Sequence, residues 1–190
     1  MSGRYRIEGY AIISSDGMIA DESSTFPDAL KSEADQRFCE HEFDRFDVVV
    51  HGRRSYEGQA NSPNRRRLIL TRKVAAFAPD PDRTKSLLWN PAGASFDEVC
   101  GALGVSAGAV AILGGTDVYD LFLDIGYDAF HLCRAGTAKL PSGVPIFSQV
   151  RVGRSPEDVL AQRGLEPTRT RVLDDARAVS VVHWTRKTQH

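Results

Sequence analysis

The stretch AVAILGGTDVYDLFL, residues 109–123, decides how the rest of the chain is interpreted. A short apolar run ends at Gly114 and Gly115, and a segment with apolar residues at helical spacing follows at once. The pattern predicts a buried strand that turns through two glycines into a helix. Such turns often hold phosphate groups, because the N–H groups at a helix start are free to bind an anion. The common dinucleotide fingerprint G-x-G-x-x-G is absent, however, so an ordinary tight turn is the alternative.

The composition is typical of one globular domain. The chain has 190 residues, of which 42% are hydrophobic and 26% charged, enough to bury one substantial core. No linker-like stretch or internal repeat divides it, so residues 1–190 are interpreted as a single domain. The net charge of −1 does not favour nucleic acid or an anionic membrane as a partner. The sequence shows neither a long apolar run nor the apolar core of a signal peptide.

The cysteines and histidines argue against a disulfide framework and against a metal centre. Three scattered cysteines, Cys39, Cys100 and Cys133, fit reduced thiols in the cytoplasm better than paired ones. Neither C-x-x-C nor H-E-x-x-H occurs, and the five histidines share no spacing typical of metal ligands. We therefore expect a cytoplasmic protein without a metal site.

Strands and helices alternate through about residue 125, and this alternation predicts a mostly parallel α/β sheet. The predicted strands in this part are residues 5–13, 47–50, 68–70, 86–89 and 108–113. One helix is predicted after Ser32 and another after Ser95, which forms a capping box with Glu98. A further short helix is predicted within residues 53–60, and residues 78–85 are interpreted as a loop.

The last third of the chain has a different pattern. Residues 127–136 predict another strand, and residues 137–150 are interpreted as a loop that contains proline and glycine. Residues 168–186 alternate between polar and apolar on both sides of Asp174 and Asp175, which predicts an antiparallel hairpin. This hairpin adds edge strands to the parallel sheet.

In open parallel sheets, ligands bind beyond the carboxyl ends of the strands. Four predicted strand ends carry informative residues: Ser14–Ala20, His51–Gly58, Thr71–Lys73 and Gly114–Asp117. Two of them place glycine before a helix start, and Arg53, Arg54 and Arg72 add positive charge. Taken singly, these features are ordinary turns and solvated arginines. Taken together, they predict a site for a multiply phosphorylated ligand such as a dinucleotide.

The order of these motifs resembles the dihydrofolate reductase-like superfamily, and within it the reductase domain of riboflavin biosynthesis, the C-terminal half of a bifunctional deaminase-reductase. The segments that carry the resemblance are YAIISSDGMIA (10–20), DVVVHGRRSYEG (47–58), RRLILTRK (66–73), AILGGTDVYDLFLDIGYDAFHL (111–132) and LPSGVPIF (140–147). The resemblance implies an α/β fold with a central, mostly parallel sheet of about eight strands. It also implies an antiparallel C-terminal hairpin and helices on both faces of the sheet.

The resemblance implies NADPH as the cofactor, bound across the carboxyl edge of the sheet. The residues implied to contact it are Ala11, Ile13, Ile19, Gly52, Arg53, Arg54, Ser55, Thr71, Arg72, Gly114, Gly115, Thr116, Asp117, Val118 and Tyr119. Gly114 and Gly115, joined by a cis peptide bond, would approach the diphosphate. Thr71 and Arg72 would meet the 2′-phosphate, which favours NADPH over NADH. The segment 13–20 would pass near the nicotinamide.

The implied reaction is hydride transfer to the carbon of a C=N bond in a pterin- or pyrimidine-like substrate, as in the reductase step of riboflavin biosynthesis. Asp35, with Ser32 before it, matches an acidic position in the first helix and is the candidate for catalysis. One alternative is a dihydrofolate reductase, although residues 25–38 lack the tryptophan expected there. Another is a non-catalytic nucleotide- or RNA-binding module that would use the basic stretch 64–73. The expected partner is a small-molecule substrate, and relatives that pair through their C-terminal strands make a homodimer an option.

Overall fold

The computed structural model describes residues 4–55 and 58–187. The strands in this part of the chain are β1 (Tyr5–Ser14), β2 (Met18–Ala20), β3 (Val48–Gly52), β4 (Arg67–Leu70), β5 (Phe77–Pro79), β6 (Ser86–Trp89), β7 (Gly108–Ile112), β8 (Ala129–Ala135), β9 (Val144–Pro145), β10 (Leu165–Asp174) and β11 (Val179–Arg186). The α-helices are α1 (Glu33–Phe43), α2 (Phe96–Ala102), α3 (Thr116–Ile125) and α4 (Pro156–Gln162). Short 3₁₀ helices lie at Asp28–Leu30, Ser62–Asn64 and Ser148–Val152.

Nine strands form the central sheet, in the order β10-β11-β8-β1-β7-β3-β4-β6-β5. The neighbours from β8 to β6 run parallel. The hairpin β10–β11 and the short β5 are antiparallel to the strands beside them. Val48, Val49 and Val50 in the middle of the sheet are fully buried, as expected for a parallel strand that is covered on both faces. The predicted fold class is confirmed, with nine strands where about eight were expected.

Helices cover both faces of the sheet, and β1 shows how one strand serves both. Ile7 and Ile13 point into the main core, which also contains the apolar faces of α2, α3 and α4. Tyr10 points to the opposite face and packs against Phe43 of α1. This alternation follows from the two-residue period of a strand.

Local capping signals define where most helices begin. Three helices start at a serine whose hydroxyl accepts a hydrogen bond from an N–H in the first turn: Ser32, Ser95 and Ser155. The predicted helix starts after Ser32 and Ser95 are confirmed. The helix α4 was not predicted, although Ser155 forms the same kind of capping box. The helix α3 differs from the other three, because its N-cap residue is Gly115.

Three local predictions are wrong in part. Residues 53–55 and 58–60 form turns and irregular structure instead of a short helix, and Tyr56 and Glu57 lie outside the described residues. Phe77–Pro79, at the edge of the predicted loop 78–85, pairs with β6 as an outer strand; its side chains show no buried face that a pattern could reveal. The predicted loop 137–150 contains β9, which forms a separate two-stranded sheet with β2. None of the helices in the described ranges has the length and apolarity that crossing a bilayer requires.

Candidate functional site

Four of the segments predicted to form a site lie together at one edge of the sheet. The strands β1, β7, β3 and β4 are consecutive neighbours and run parallel, so their carboxyl ends are side by side. The segments that follow these strands begin at Ser15, Leu113, Arg53 and Thr71. This is the edge at which ligands of open parallel sheets bind.

The Gly114–Gly115 peptide bond is cis, as the resemblance implied. The turn is fixed to the neighbouring strand, because the Gly52 N–H donates to the Gly114 carbonyl over 2.6 Å and the Leu113 N–H donates to the Val50 carbonyl over 2.8 Å. The turn therefore continues β7 along β3 before α3 begins.

The side chain of Tyr119 closes the space behind Gly114. Its hydroxyl donates to the Tyr10 carbonyl over 2.5 Å, and the ring is buried. A Cβ atom on Gly114 would lie 2.5 Å from this ring, and Gly114 has a φ of +91°. Only glycine combines that backbone conformation with that lack of space.

Gly115 faces the open side of the turn. Among the described residues, a Cβ atom there would meet only the Ser55 Oγ at 3.6 Å and the Ile19 Cδ1 at 3.7 Å, both ordinary contact distances. Gly115 is also the N-cap of α3 and has no side chain to accept from the first N–H groups of that helix. The open side of the turn therefore presents backbone N–H groups and the positive end of the α3 dipole, both of which favour binding of an anion.

Positive charge lies beside this turn, on the β3 and β4 side. Arg53, Arg54 and Arg72 are exposed. The Arg72 guanidinium lies 3.4 Å from the Asp117 carboxylate, with side chains 89% and 83% exposed. An ion pair in that much solvent contributes about 0–1 kcal/mol, so Arg72 could exchange Asp117 for a phosphate at little cost. Thr71 is buried, and its hydroxyl oxygen accepts from the Lys73 N–H over 3.2 Å.

Several residues predicted to contact the cofactor pack in the core beneath the carboxyl edge of the sheet. Ile13, Val118 and Tyr119 are buried in the main core, where they hold β1 and α3 in place. Ala11 and Ile19 are half-buried beside them. Direct contact of the three buried side chains with a cofactor stays a prediction.

Thr116 has a partner other than the one expected. Its hydroxyl donates to the Pro145 carbonyl of β9 over 2.5 Å, so the start of α3 is linked to the small sheet β2–β9. What Thr116 offers to a ligand on the open side is its backbone N–H.

The segment between β1 and β2 is fastened to the chain after β8. The Ser15 N–H donates to the Ala138 carbonyl over 2.8 Å. The Asp16 carboxylate accepts from the Leu140 N–H at 3.1 Å and from the Ser14 hydroxyl at 2.5 Å. Partial burial opposes the charge on Asp16, but these hydrogen bonds outweigh it and hold the pKa of Asp16 below its usual range.

The candidate catalytic residues lie at the start of α1. The Ser32 hydroxyl is buried and accepts from the Asp35 N–H over 3.3 Å, which makes it the N-cap of the helix. The half-buried Asp35 carboxylate accepts from the Cys39 thiol at 3.9 Å and lies beside Cys133 of β8. Burial raises the pKa of Asp35. Burial raises the pKa of Tyr119, and Cys39 and Asp35 raise it further.

The sequence analysis missed a buried polar network on the α1 face of the sheet. The Glu8 carboxylate lies 2.8 Å from His131 Nε2, and His131 Nδ1 lies 2.7 Å from His183 Nδ1. The Tyr10 hydroxyl donates to Glu8 over 3.1 Å and lies 3.3 Å from the Glu42 carboxylate. The sequence signal for this network was Glu8, a charged residue within the predicted apolar strand 5–13. Its partners could not be predicted, because they depend on the register of β1, β8 and β11.

Two pockets in the described part of the chain lie away from the carboxyl edge. One of about 450 Å³ is lined by Phe43, Phe46, Arg65, Arg66 and Lys85, among others. These residues precede β3, β4 and β6, so this pocket opens at the amino edge of the sheet. None of the predicted site residues lines it.

Comparison with solved structures identifies the fold of the chain. No protein-family model matches the chain, and none of the curated proteins matches it. A protein named for riboflavin biosynthesis from Shewanella sp. PV-4 is 18% identical, with a TM-score of 0.64 and coverage of 96% of this chain and 99% of that one. Dihydrofolate reductase from Enterococcus faecalis, complexed with NADP(H) and RAB-propyl, is 16% identical, with a TM-score of 0.63 and coverage of 96% and 97%.

A third structure contains a second part that this chain does not match. It is a diaminohydroxyphosphoribosylaminopyrimidine deaminase/5-amino-6-(5-phosphoribosylamino)uracil reductase from Thermotoga maritima, 18% identical with a TM-score of 0.65. The match covers 97% of this chain and 57% of that protein. Agreement over nearly the whole of this chain at such low identity shows a shared architecture. The chain has the dihydrofolate reductase-like fold.

Proposed function

We propose that the chain is an NADPH-dependent reductase of the riboflavin-biosynthesis type, which transfers a hydride to the carbon of a C=N bond in a pyrimidine- or pterin-like substrate. The observation that carries this proposal is the open backbone at Gly115, between Ser55 and Ile19, at the start of α3 on the carboxyl edge. The NADP(H) complex of the E. faecalis enzyme, which shares the fold, supports the choice of cofactor.

The residues at this edge fit a phosphorylated dinucleotide. Gly115 and the first N–H groups of α3 would receive the diphosphate. Arg72 and Thr71 would hold the 2′-phosphate, with Arg53 and Arg54 beside it. Since β4 lies on one side of β7 and β1 on the other, the nicotinamide would extend toward β1.

The chemistry divides between cofactor and protein. NADPH supplies the hydride when it is bound, and the chain orients the two reactants and excludes water. The Asp35 carboxyl, with its raised pKa, would hold a proton close to the substrate nitrogen. The proposed partner is therefore a small molecule; pairing of two copies through β10 and β11 stays a prediction.

Dihydrofolate is the second candidate substrate, because a half-buried carboxyl on the first helix suits the recognition of a protonated ring nitrogen. Assays of NADPH oxidation with dihydrofolate and with 5-amino-6-(5-phosphoribosylamino)uracil separate the two candidates. The riboflavin-type proposal expects turnover of the second compound and none of the first. It also expects Asp35→Asn to lower kcat while NADPH binding stays unchanged. Salt-sensitive RNA binding without NADPH binding would favour the non-catalytic alternative.

Arg72→Ala should weaken NADPH binding about 10- to 100-fold, because it removes a charge-assisted hydrogen bond to the 2′-phosphate. NADH binding should not change, since NADH lacks that phosphate. Fluorescence titration of both cofactors measures the two effects. Arg66→Ala is the matched control, because Arg66 is exposed at the opposite edge of the sheet. Equal affinity of the unmodified protein for both cofactors would contradict the assignment.

A further inference from the structure

The structure assigns Arg134 a positioning role, which rests on the proposed function: Arg134 holds the segment between β1 and β2 in place at the nicotinamide half of the NADPH site. Arg134 lies near the carboxyl end of β8, opposite Ile13 of β1 in the strand register. It does not touch the Gly114–Gly115 turn, so it would act through the segment that it holds.

One guanidinium connects three parts of the fold. Nη1 of Arg134 donates to the Ser14 carbonyl over 3.2 Å and to the Ser15 carbonyl over 2.9 Å. Nη2 forms an ion pair with Glu157 of α4. The side chain is 29% exposed, so these bonds are partly shielded from water. The planar fork of arginine matches such a set of acceptors, whereas the single ammonium of lysine does not.

The segment held by Arg134 leads directly to the proposed cofactor. Ser14 and Ser15 are followed by β2, whose Ile19 side chain lies beside Gly115. The strand β2 pairs with β9, and β9 is bonded to the start of α3 through Pro145. The segment held by Arg134 therefore lies on the β1 side of the diphosphate turn, toward which the nicotinamide is proposed to extend, and displacement of Ser14 and Ser15 would act on that side.

The proposed direction of the dinucleotide places its nicotinamide near this segment. Arg72 follows β4 and the Gly114–Gly115 turn follows β7, so a 2′-phosphate at β4 and a diphosphate at β7 point the remaining half toward β1 and β8. The segment after β1 occupies that end of the edge. The adenosine half would lie toward β4, away from this segment.

Arg134 is not the only anchor of this segment. The N–H and the hydroxyl of Ser15 both donate to the Ala138 carbonyl, and Asp16 accepts from the Leu140 N–H. Loss of Arg134 should therefore leave the segment attached to the chain after β8 and the Ser14 carbonyl still accepting from the Gly17 N–H at 3.1 Å, while the Ser15 carbonyl becomes free to shift.

The test compares two ligands that differ only at the nicotinamide. NADPH and 2′-phospho-ADP-ribose are titrated calorimetrically into the unmodified protein, Arg134→Met, Arg134→Lys and Glu157→Gln. Arg134→Met should weaken NADPH binding about tenfold, the equivalent of one hydrogen bond to a charged group, and leave 2′-phospho-ADP-ribose within about twofold. Arg134→Lys should recover only part of the loss, and Glu157→Gln should give a smaller loss of the same kind.

Arg163→Met is the matched control. Arg163 also joins a backbone carbonyl, that of Leu123 at 3.1 Å, to a carboxylate, that of Asp124 at 3.0 Å. It contacts α3 and not the segment after β1, so binding of both ligands should stay unchanged.

Two results would overturn the positioning role: unchanged NADPH binding in Arg134→Met, or equal weakening of both ligands, which would indicate a general effect on the fold. Arg134→Lys and Glu157→Gln keep the test decisive if Arg134→Met fails to fold. Failure of the unmodified protein to bind either ligand would instead refute the proposed function, and the role of Arg134 with it.

Discussion

Glu8→Ala should lower the free energy of unfolding by about 3–5 kcal/mol, because it removes a buried carboxylate and leaves the hydrogen-bond donors around it without an acceptor. The Glu8 side chain is 2% exposed and bonds to His131, Tyr10 and Arg6. Without the carboxylate, the Nε2 donor of His131 stays buried with nothing to accept from it. Urea denaturation followed by circular dichroism gives the change.

Glu33→Ala is the matched control for this prediction. Glu33 is a carboxylate on the same face of the sheet, in α1, but its side chain is 86% exposed and its ion pair with Arg37 is fully solvated. Its loss should change stability by no more than about 0.5 kcal/mol. Similar effects of the two substitutions would show that the buried network does not stabilise the fold.

The same network should make stability fall as the pH drops. His131 Nδ1 and His183 Nδ1 lie 2.7 Å apart, and a hydrogen bond between them requires one of these two nitrogens to act as the acceptor, so the bond is lost when both nitrogens carry a proton. Burial lowers the pKa of His183, and His131 and Arg169 lower it further; Arg171 of β10 acts in the same direction, while Glu42 of α1 opposes it. Because the unfolded chain then binds more protons than the folded one, stability should decrease as the pH falls below about 6.5.

A second loss should follow at lower pH. Burial opposes the charge on Glu8, but the hydrogen bond and electrostatic field of His131, together with Arg6, hold the pKa of Glu8 below its usual value. Its contribution is present above about pH 4.3 and is lost as the pH falls through the lowered pKa. Denaturation between pH 7.5 and 3.5 measures both steps. His183→Leu should remove the first step; an unchanged slope between pH 7.5 and 5.5 in that variant would refute the assignment.

Gly114→Ala and Gly115→Ala should affect different properties: the first should lower the stability of the fold, and the second should weaken NADPH binding. At Gly114, a Cβ atom would lie 2.5 Å from the buried Tyr119 ring, at a φ of +91°. Overpacking and a left-handed backbone conformation each cost about 1–3 kcal/mol, so Gly114→Ala should destabilise the protein by several kcal/mol. Thermal and urea denaturation measure this loss.

At Gly115, the added Cβ atom would meet its neighbours at 3.6 and 3.7 Å, and φ is −76°. Gly115→Ala should therefore fold with a stability change below about 1 kcal/mol. It should weaken NADPH binding at least about tenfold, because the methyl group occupies the open side on which the diphosphate is proposed to lie. NADPH binding as tight as that of the unmodified protein would show that the diphosphate binds elsewhere.

Gly101→Ala serves as the control for both glycine substitutions. Gly101 lies in α2, and no atom of the described residues would lie within 4 Å of its Cβ atom. Alanine is the better helix former, so this variant should gain about 0.5–1 kcal/mol and bind NADPH normally. Loss of binding in this variant would indicate that any change at a glycine disturbs the site.

Much of the fold could be predicted because its signals are local. The parallel strands are short apolar runs, and the helix starts at Ser32 and Ser95 carry their own capping residues. The strands β2, β5 and β9 escaped prediction because two or three residues carry no period, and their pairing is decided by distant partners.

The site could be predicted only in outline. Glycines and arginines at strand ends indicated the edge, since topology alone brings such ends together. The bond from Thr116 to Pro145, the network of Glu8 with His131, and the bonds of Arg134 all join residues more than 20 positions apart. Contacts of this kind depend on strand register and loop path, which a pattern of residue types does not encode.

The two faces of β1 contribute to different parts of the protein, and this limits which sequence changes the strand can accept. Glu8 and Tyr10 belong to the buried polar network beneath α1, whereas Ala11 and Ile13 support the edge proposed for the cofactor. Insertion or deletion of a single residue within the strand would exchange the two sets, because alternate side chains point to opposite faces. A substitution at one position of β1 can therefore affect the buried network or the proposed cofactor edge separately, whereas a change in the length of the strand would affect both.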